Sequence, residues 1–176
     1  MKSILRFYST SFLLIILGLV LSTKVAFADC PSTDNGPDTI SVPIVTGMSQ
    51  ADAIDAILSA GLKVGTVSQI FNSSISDGIV YTQSPAGTTC AAPNASVAIT
   101  VAYNVVVPDV VGQSQTTAAA TIGGTCSSTK SPPACLTVGT ITQQEDLTVP
   151  AGTVLSQTPP SGSTVNPSTT KVNLTV

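Results

Sequence analysis

The sequence predicts an α+β protein: an N-terminal signal peptide, then two small tandem modules, each one helix packed on a three-stranded antiparallel sheet in the order β-α-β-β. Three observations carry that expectation. Four sequence blocks recur in the same order. Each copy holds one amphipathic segment followed by three β-branched runs. The first 28 residues have the make-up of an export signal.

Lys2 and Arg6 charge the start, Phe12–Leu21 (FLLIILGLVL) is an apolar run of ten, and Ala26-Phe27-Ala28 supplies the small residues of a cleavage site before Asp29. A helix that spans a bilayer needs about 20 apolar residues. Lys24 ends this run early, so cleavage is expected in place of a retained anchor. The charged Asp29 disfavours acylation at Cys30. Residues 29–39 then read as an N-terminal extension, 40–103 as the first module and 104–176 as the second, with no further domain expected in a chain of this length.

The repeat is explicit. Val42-Pro43-Ile44-Val45-Thr46-Gly47 returns as Val107-Pro108-Asp109-Val110-Val111-Gly112, an offset of 65. Leu62–Thr66 (LKVGT) returns as Leu136–Thr140 (LTVGT), and Gly78–Pro85 (GIVYTQSP) as Gly152–Pro159 (GTVLSQTP), both at 74. Ser96–Val101 matches Lys171–Val176 at 75. The jump from 65 to 74 puts a nine-residue insertion between the first two blocks of the second copy, within 123–135.

In the first copy, Ser49-Gln50-Ala51-Asp52 is a capping box that can satisfy free N–H groups at a helix start. Ala51, Ile54, Ile57 and Leu58 share one helical face, Asp52 and Asp55 another, and Gly61 stands where a left-handed residue ends a helix. The spacing predicts a helix over Gln50–Ala60 and strands over Leu62–Phe71, Ile79–Gln83 and Val97–Val101. Val97, Ile99 and Val101 alternate strictly, as do Val172, Leu174 and Val176, giving one buried and one wet face. The second helix is weaker. Ser114-Gln115-Thr116-Thr117 lacks the acid, and only about two turns precede Gly123-Gly124.

Four cysteines in an exported chain pair, and three connectivities are open. Cys126 and Cys135 bracket CSSTKSPPAC, a loop by its Pro132-Pro133 and Ser/Thr content. Joining them closes that loop beside the weak helix and leaves Cys30 with Cys90 by elimination. Closing so short a loop stabilises by about 2–3 kcal/mol.

Composition excludes several functions. Beyond residue 28 the chain has no Arg, and its three lysines (Lys63, Lys130, Lys171) face nine carboxylates, a net charge of −6. Three lysines cannot neutralise a run of phosphates, so no nucleic-acid partner is expected. Without His there is no Ser-His-Asp or Cys-His catalysis and no ordinary zinc site. No catalytic residue, cofactor or metal site is expected. Asp52 and Asp55 read as cap and solvated face, Glu145-Asp146 as a turn, and Gln83 and Gln157 as sheet-edge hydrogen bonders. The remaining aromatics are Phe71, Tyr81 and Tyr103. Phe71 and Tyr81 flank one connection and form the candidate ligand surface, a stacking platform for a sugar ring. Tyr103, followed by the one-residue linker Asn104, is placed at the junction.

V-P-x-V-x-G (Val107–Gly112), A-G-L-x-V-G (Ala60–Gly65) and G-x-V-x-x-Q-x-P-x-x-G (Gly152–Gly162; one residue shorter over Gly78–Gly87) together resemble the PASTA repeat of bacterial penicillin-binding proteins and receptor-type Ser/Thr kinases. The resemblance spans residues 40–176. It implies a β-α-β-β fold and a non-enzymatic binding role toward peptidoglycan or another cell-envelope glycan, in the periplasm, at the cell surface or outside the cell. The alternative is a structural, self-associating surface subunit that uses its modules as rigid spacers and pairs with copies or envelope proteins through strand edges. After signal cleavage no membrane partner is expected. Muropeptide carboxylates are best gripped by Arg, and none stands beyond residue 28, so glycan contacts fall to hydroxyls, amides and aromatics.

Overall fold

A computed structural model describes residue 30 and residues 38–176; the signal peptide expected over 1–28 lies outside the described residues. The elements of the first module are β1 (Ile40–Ser41), α1 (Gln50–Ser59), β2 (Lys63–Phe71), β3 (Val80–Ser84), β4 (Cys90–Ala91) and β5 (Ser96–Tyr103). Those of the second are β6 (Val105–Val106), α2 (Gln115–Gly123), β7 (Thr137–Thr142), β8 (Ser156–Thr158), β9 (Thr164–Val165) and β10 (Lys171–Thr175). Each module is one helix on a three-stranded sheet, with a two-stranded ladder beside it (β1 with β4, β6 with β9).

The sheets are mixed, where the sequence had suggested antiparallel pairing throughout. The order is β2-β5-β3 and β7-β10-β8; the last strand lies in the centre, parallel to the first and antiparallel to the second. The reason is connection length. Hairpins use loops of about two to five residues, whereas residues 72–79 separate β2 from β3 and 85–95 separate β3 from β5. The last strand is thus free to enter between its predecessors, and the strand with the most regular apolar alternation becomes the buried one. Val97, Ile99 and Val101 are at most 1% exposed, and each such burial contributes about 1.5–3 kcal/mol.

Two cores result, and they are separate. One gathers Val42, Val45, Ala53, Ile57 and Leu62 with β5; the other gathers Val107, Val110, Ala118, Ile122 and Leu136 with β10. The buried face of α1 differs from the expected one. Ala53 and Ile57 are fully buried, but Ala51 and Leu58 face solvent, Leu58 at 54% exposure. A helix this short covers the sheet with a stripe one residue wide, and Ala53 lets it approach closely.

The local signals act as their chemistry dictates. Ser49 Oγ accepts from the Asp52 N–H (3.2 Å) and donates to the Asp52 carboxylate (2.7 Å). In α2 the Thr117 hydroxyl stands in for the acid, 2.9 Å from Ser114 Oγ. Gly65 and Gly139 lie where β2 and β7 shift register against the central strand; a Cβ on Gly65 would sit 3.2 Å from Val97 and Ala98 backbone atoms. Gln83 does more than bond along a sheet edge. Its Oε1 accepts from the Val45 N–H (2.7 Å) and its Nε2 donates to the Pro43 carbonyl (2.9 Å); Gln157 does the same with Val110 and Pro108, both at 2.8 Å. The glutamine of one motif therefore fastens the V-P-x-V segment of the other, because the proline leaves that segment unable to complete a ladder.

Candidate functional site

The densest polar cluster lies where the modules meet. Cys126 and Cys135 are joined by a disulfide, and the loop they close reaches back to the first module; a second disulfide joins Cys30 to Cys90. Asp77, just before β3, is the hub of the contact. Its Oδ1 accepts from the hydroxyls of Ser127 (2.7 Å) and Thr129 (2.8 Å) and from the Asn104 N–H (3.2 Å). Its Oδ2 accepts from the Ser128 N–H (3.0 Å) and hydroxyl (2.7 Å). Gln69 closes the other side: Oε1 accepts from the Ser131 N–H (3.1 Å), and Nε2 donates to the Thr129 carbonyl. Ser127 is 3% exposed, so its hydroxyl is committed to this contact.

Burial pushes the Asp77 carboxyl up, while the hydroxyls of Ser127, Ser128 and Thr129 and the Asn104 N–H stabilise its charge and leave it below the usual value. The linker is held as firmly. Asn104 is 6% exposed and its Nδ2 donates to the carbonyls of Asn72 (2.7 Å) and Ile75 (2.6 Å). Lys130 Nζ sits 4.6 Å above the Tyr103 ring centroid, a cation–π contact between the modules.

The candidate stacking residues are not neighbours. Phe71 ends β2, one edge of the sheet, and packs edge-on against Tyr103 with centroids 6.4 Å apart. Tyr81 lies on β3, the opposite edge, and is 45% exposed. Tyr103 is at the junction, where it was expected. Asp52 caps α1 as described above, and Asp55 is exposed. Glu145 and Asp146 are exposed in the turn after β7. Asp146 accepts from the Thr148 hydroxyl and N–H, which holds its carboxyl below the usual value.

That turn forms one wall of an open groove of about 720 Å³ at the far end of the second module. The groove is the counterpart of the surface that Asp77 and Gln69 present in the first module. By the repeat offset, Gln69, Phe71, Asp77 and Tyr81 correspond to Gln143, Glu145, Ala151 and Leu155, and all four of the latter line it. Leu147, in the same turn, is wholly exposed. One face is thus covered by the insertion and its copy is open.

The sequence places Asn104 at the junction as linker but does not single out Asp77 or the Ser127–Thr129 hydroxyls. A signal existed: between aligned motifs the copies differ at Asp77 and Ala151, and only the copy followed by an inserted loop carries the acid. Among the described residues no group of three or more His, Cys, Asp or Glu side chains is placed to hold a metal ion, and no helix is long and apolar enough to cross a membrane.

A family model described as PASTA domain matches residues 40–103 and 105–176. Similar solved structures include the extracellular region of the Ser/Thr kinase PrkC from Staphylococcus aureus, at 16% identity over 76% of this chain and 45% of that one, with a TM-score of 0.35. The three-PASTA-domain structure of a Ser/Thr kinase from Staphylococcus aureus is 18% identical over 77% of this chain and 65% of that one, TM-score 0.35. Penicillin Binding Protein 2X from Streptococcus thermophilus is 16% identical over 79% and 17%, TM-score 0.26. This chain therefore spans less than two thirds of each of those chains. No curated protein matches.

Proposed function

Since the chain belongs to the PASTA domain family, we propose that it is an exported, non-enzymatic module that binds peptidoglycan or another cell-envelope glycan. The tandem family match over 40–103 and 105–176 carries this reading. The proposed organisation is a signal peptide over 1–28, an extension over 29–39 tied down by Cys30, a first repeat over 40–103 and a second over 104–176 with its disulfide-bracketed insertion. Two disulfides suit an oxidising compartment, hence the periplasm, the cell surface or the medium. A net charge of −6 beyond residue 28 disfavours anionic wall polymers and leaves uncharged sugars as the natural ligand. Tyr81 is the exposed aromatic available to a sugar ring; Phe71 packs against Tyr103 on the opposite edge of the sheet.

The experiment is sedimentation of the exported protein with peptidoglycan sacculi at low and physiological salt. Co-sedimentation at both salts is expected, since contacts to neutral sugars are little screened. A protein that stays in the supernatant at both would end this reading. The firm junction favours a second reading, a rigid spacer that associates with copies or with an envelope protein. Concentration-dependent assembly in light scattering, without binding to sacculi, would support it instead.

A further inference from the structure

On the first module, the face at the end of β2 is occupied by a hydroxyl-bearing loop. Ser127, Ser128 and Thr129 give three hydroxyls to the Asp77 carboxylate, and Gln69 exchanges hydrogen bonds with the Thr129 and Ser131 backbone. A carboxylate and a primary amide on one face form a device for reading hydroxyl and amide groups. The copy of that face on the second module is unoccupied by the chain; it keeps the amide, has Ala151 where Asp77 stands, and carries its carboxylates in the turn after β7 instead. Gln143 stands at the Gln69 position, Glu145 and Asp146 supply acceptors one and two residues beyond Gln144, and Leu155 stands at the Tyr81 position. Leu147 and Val149 give the groove an apolar wall. Its volume of about 720 Å³ is in the range of small-ligand sites.

We propose that this groove on the second module binds a neutral, hydroxyl- and amide-bearing glycan, in the place that the Ser127–Thr129 loop takes on the first. The inference rests on the glycan-binding reading above and assigns it a site. Charge chooses the ligand class. The lining contains two carboxylates and no Lys or Arg, so it repels anionic groups and accepts from sugar hydroxyls. A hydroxyl on a free ligand gains most from a charged acceptor, as Ser127 does from Asp77. A protein loop of the same chemistry would be the competing occupant.

The test is an amide-shift titration of the isotopically labelled exported protein, disulfides intact, with uncharged N-acetylglucosamine tetramer. Separate arms use an anionic muramyl dipeptide and the disulfide-closed peptide of sequence 126–135. The tetramer is expected to shift residues 143–152 and Gln115, and the muramyl dipeptide to act more weakly. The Q143A/E145A variant is expected to weaken tetramer binding by about tenfold with an unchanged melting temperature, since both side chains are exposed. Shifts centred on the first module, or an unaffected Q143A/E145A, would overturn the site. Shifts at 143–152 from the peptide but not from the tetramer would overturn the ligand class. If sacculi bind while the tetramer does not shift the groove, the site fails and the function stands; if neither binds, the function itself fails.

Discussion

The two modules share one fold and differ at one end. In the first, the turn between β2 and β3 carries Asp77 and is covered by the inserted loop; in the second, the matching turn carries Ala151 and opens onto solvent. The insertion belongs by sequence to the second module yet spends its hydrogen bonds on the first. A repeat boundary in sequence is therefore not the boundary of the contacts. Duplication supplies two equivalent faces, and nine inserted residues make them unequal.

The two cores share no buried residue, so damage to one should spare the other. Leu62 and Leu136 are equivalent and 3% and 1% exposed. Truncating either to Ala costs about 3–4 kcal/mol. Leu136→Ala is expected to raise amide exchange throughout 105–176 while 40–101 keeps most of its protection. Uniform loss across both modules would mean a single merged core.

Asp77→Ala comes next. It takes the 2.7 Å acceptor from the nearly buried Ser127 hydroxyl and removes five hydrogen bonds in all, with a net cost of about 1–2 kcal/mol. The expected sign with pH follows from the carboxyl lying below its ordinary value of 3.8. Its contribution is fully present above that value and is lost as pH falls through the lower folded value. Acid unfolding below about pH 4 should separate wild type from Asp77→Ala less and less. A difference that grows toward acid would refute the assignment. The Ala151→Asp change tests the copy: lacking a covering loop, it should leave stability within about 0.5 kcal/mol.

The caps give the smallest effect and compare the helices. Ser49→Ala is expected to cost about 1 kcal/mol. Ser114→Ala should cost less, because Thr117 offers a neutral partner where Asp52 is charged. Chemical denaturation resolves the pair.

Much of this was legible in the residues. Capping serines, the glycines after V-P-x-V, the apolar alternation of the last strand and the length of α1 follow from local chemistry. What was not legible is non-local. Parallel pairing of β2 with β5 depends on which strand enters between which, and local alternation is the same for either neighbour. The exposure of Leu58 depends on how narrow a sheet the helix covers. The sequence marks Gln83 as a sheet-edge hydrogen bonder, and its bonds to Val45 and Pro43 appear only once the entry segment lies against the sheet. The Asp77 contact needs the ends of both modules in place. Phe71 and Tyr81, close in sequence to one connection, lie on opposite edges because β5 passes between them.

The disulfide-closed loop fixes one module on the other. Amide ¹⁵N relaxation of the oxidised protein measures this directly, by comparing the rotational diffusion of residues 40–103 with that of 105–176. A single shared diffusion tensor is the predicted result. Two modules tumbling with separate tensors in the oxidised protein would contradict it.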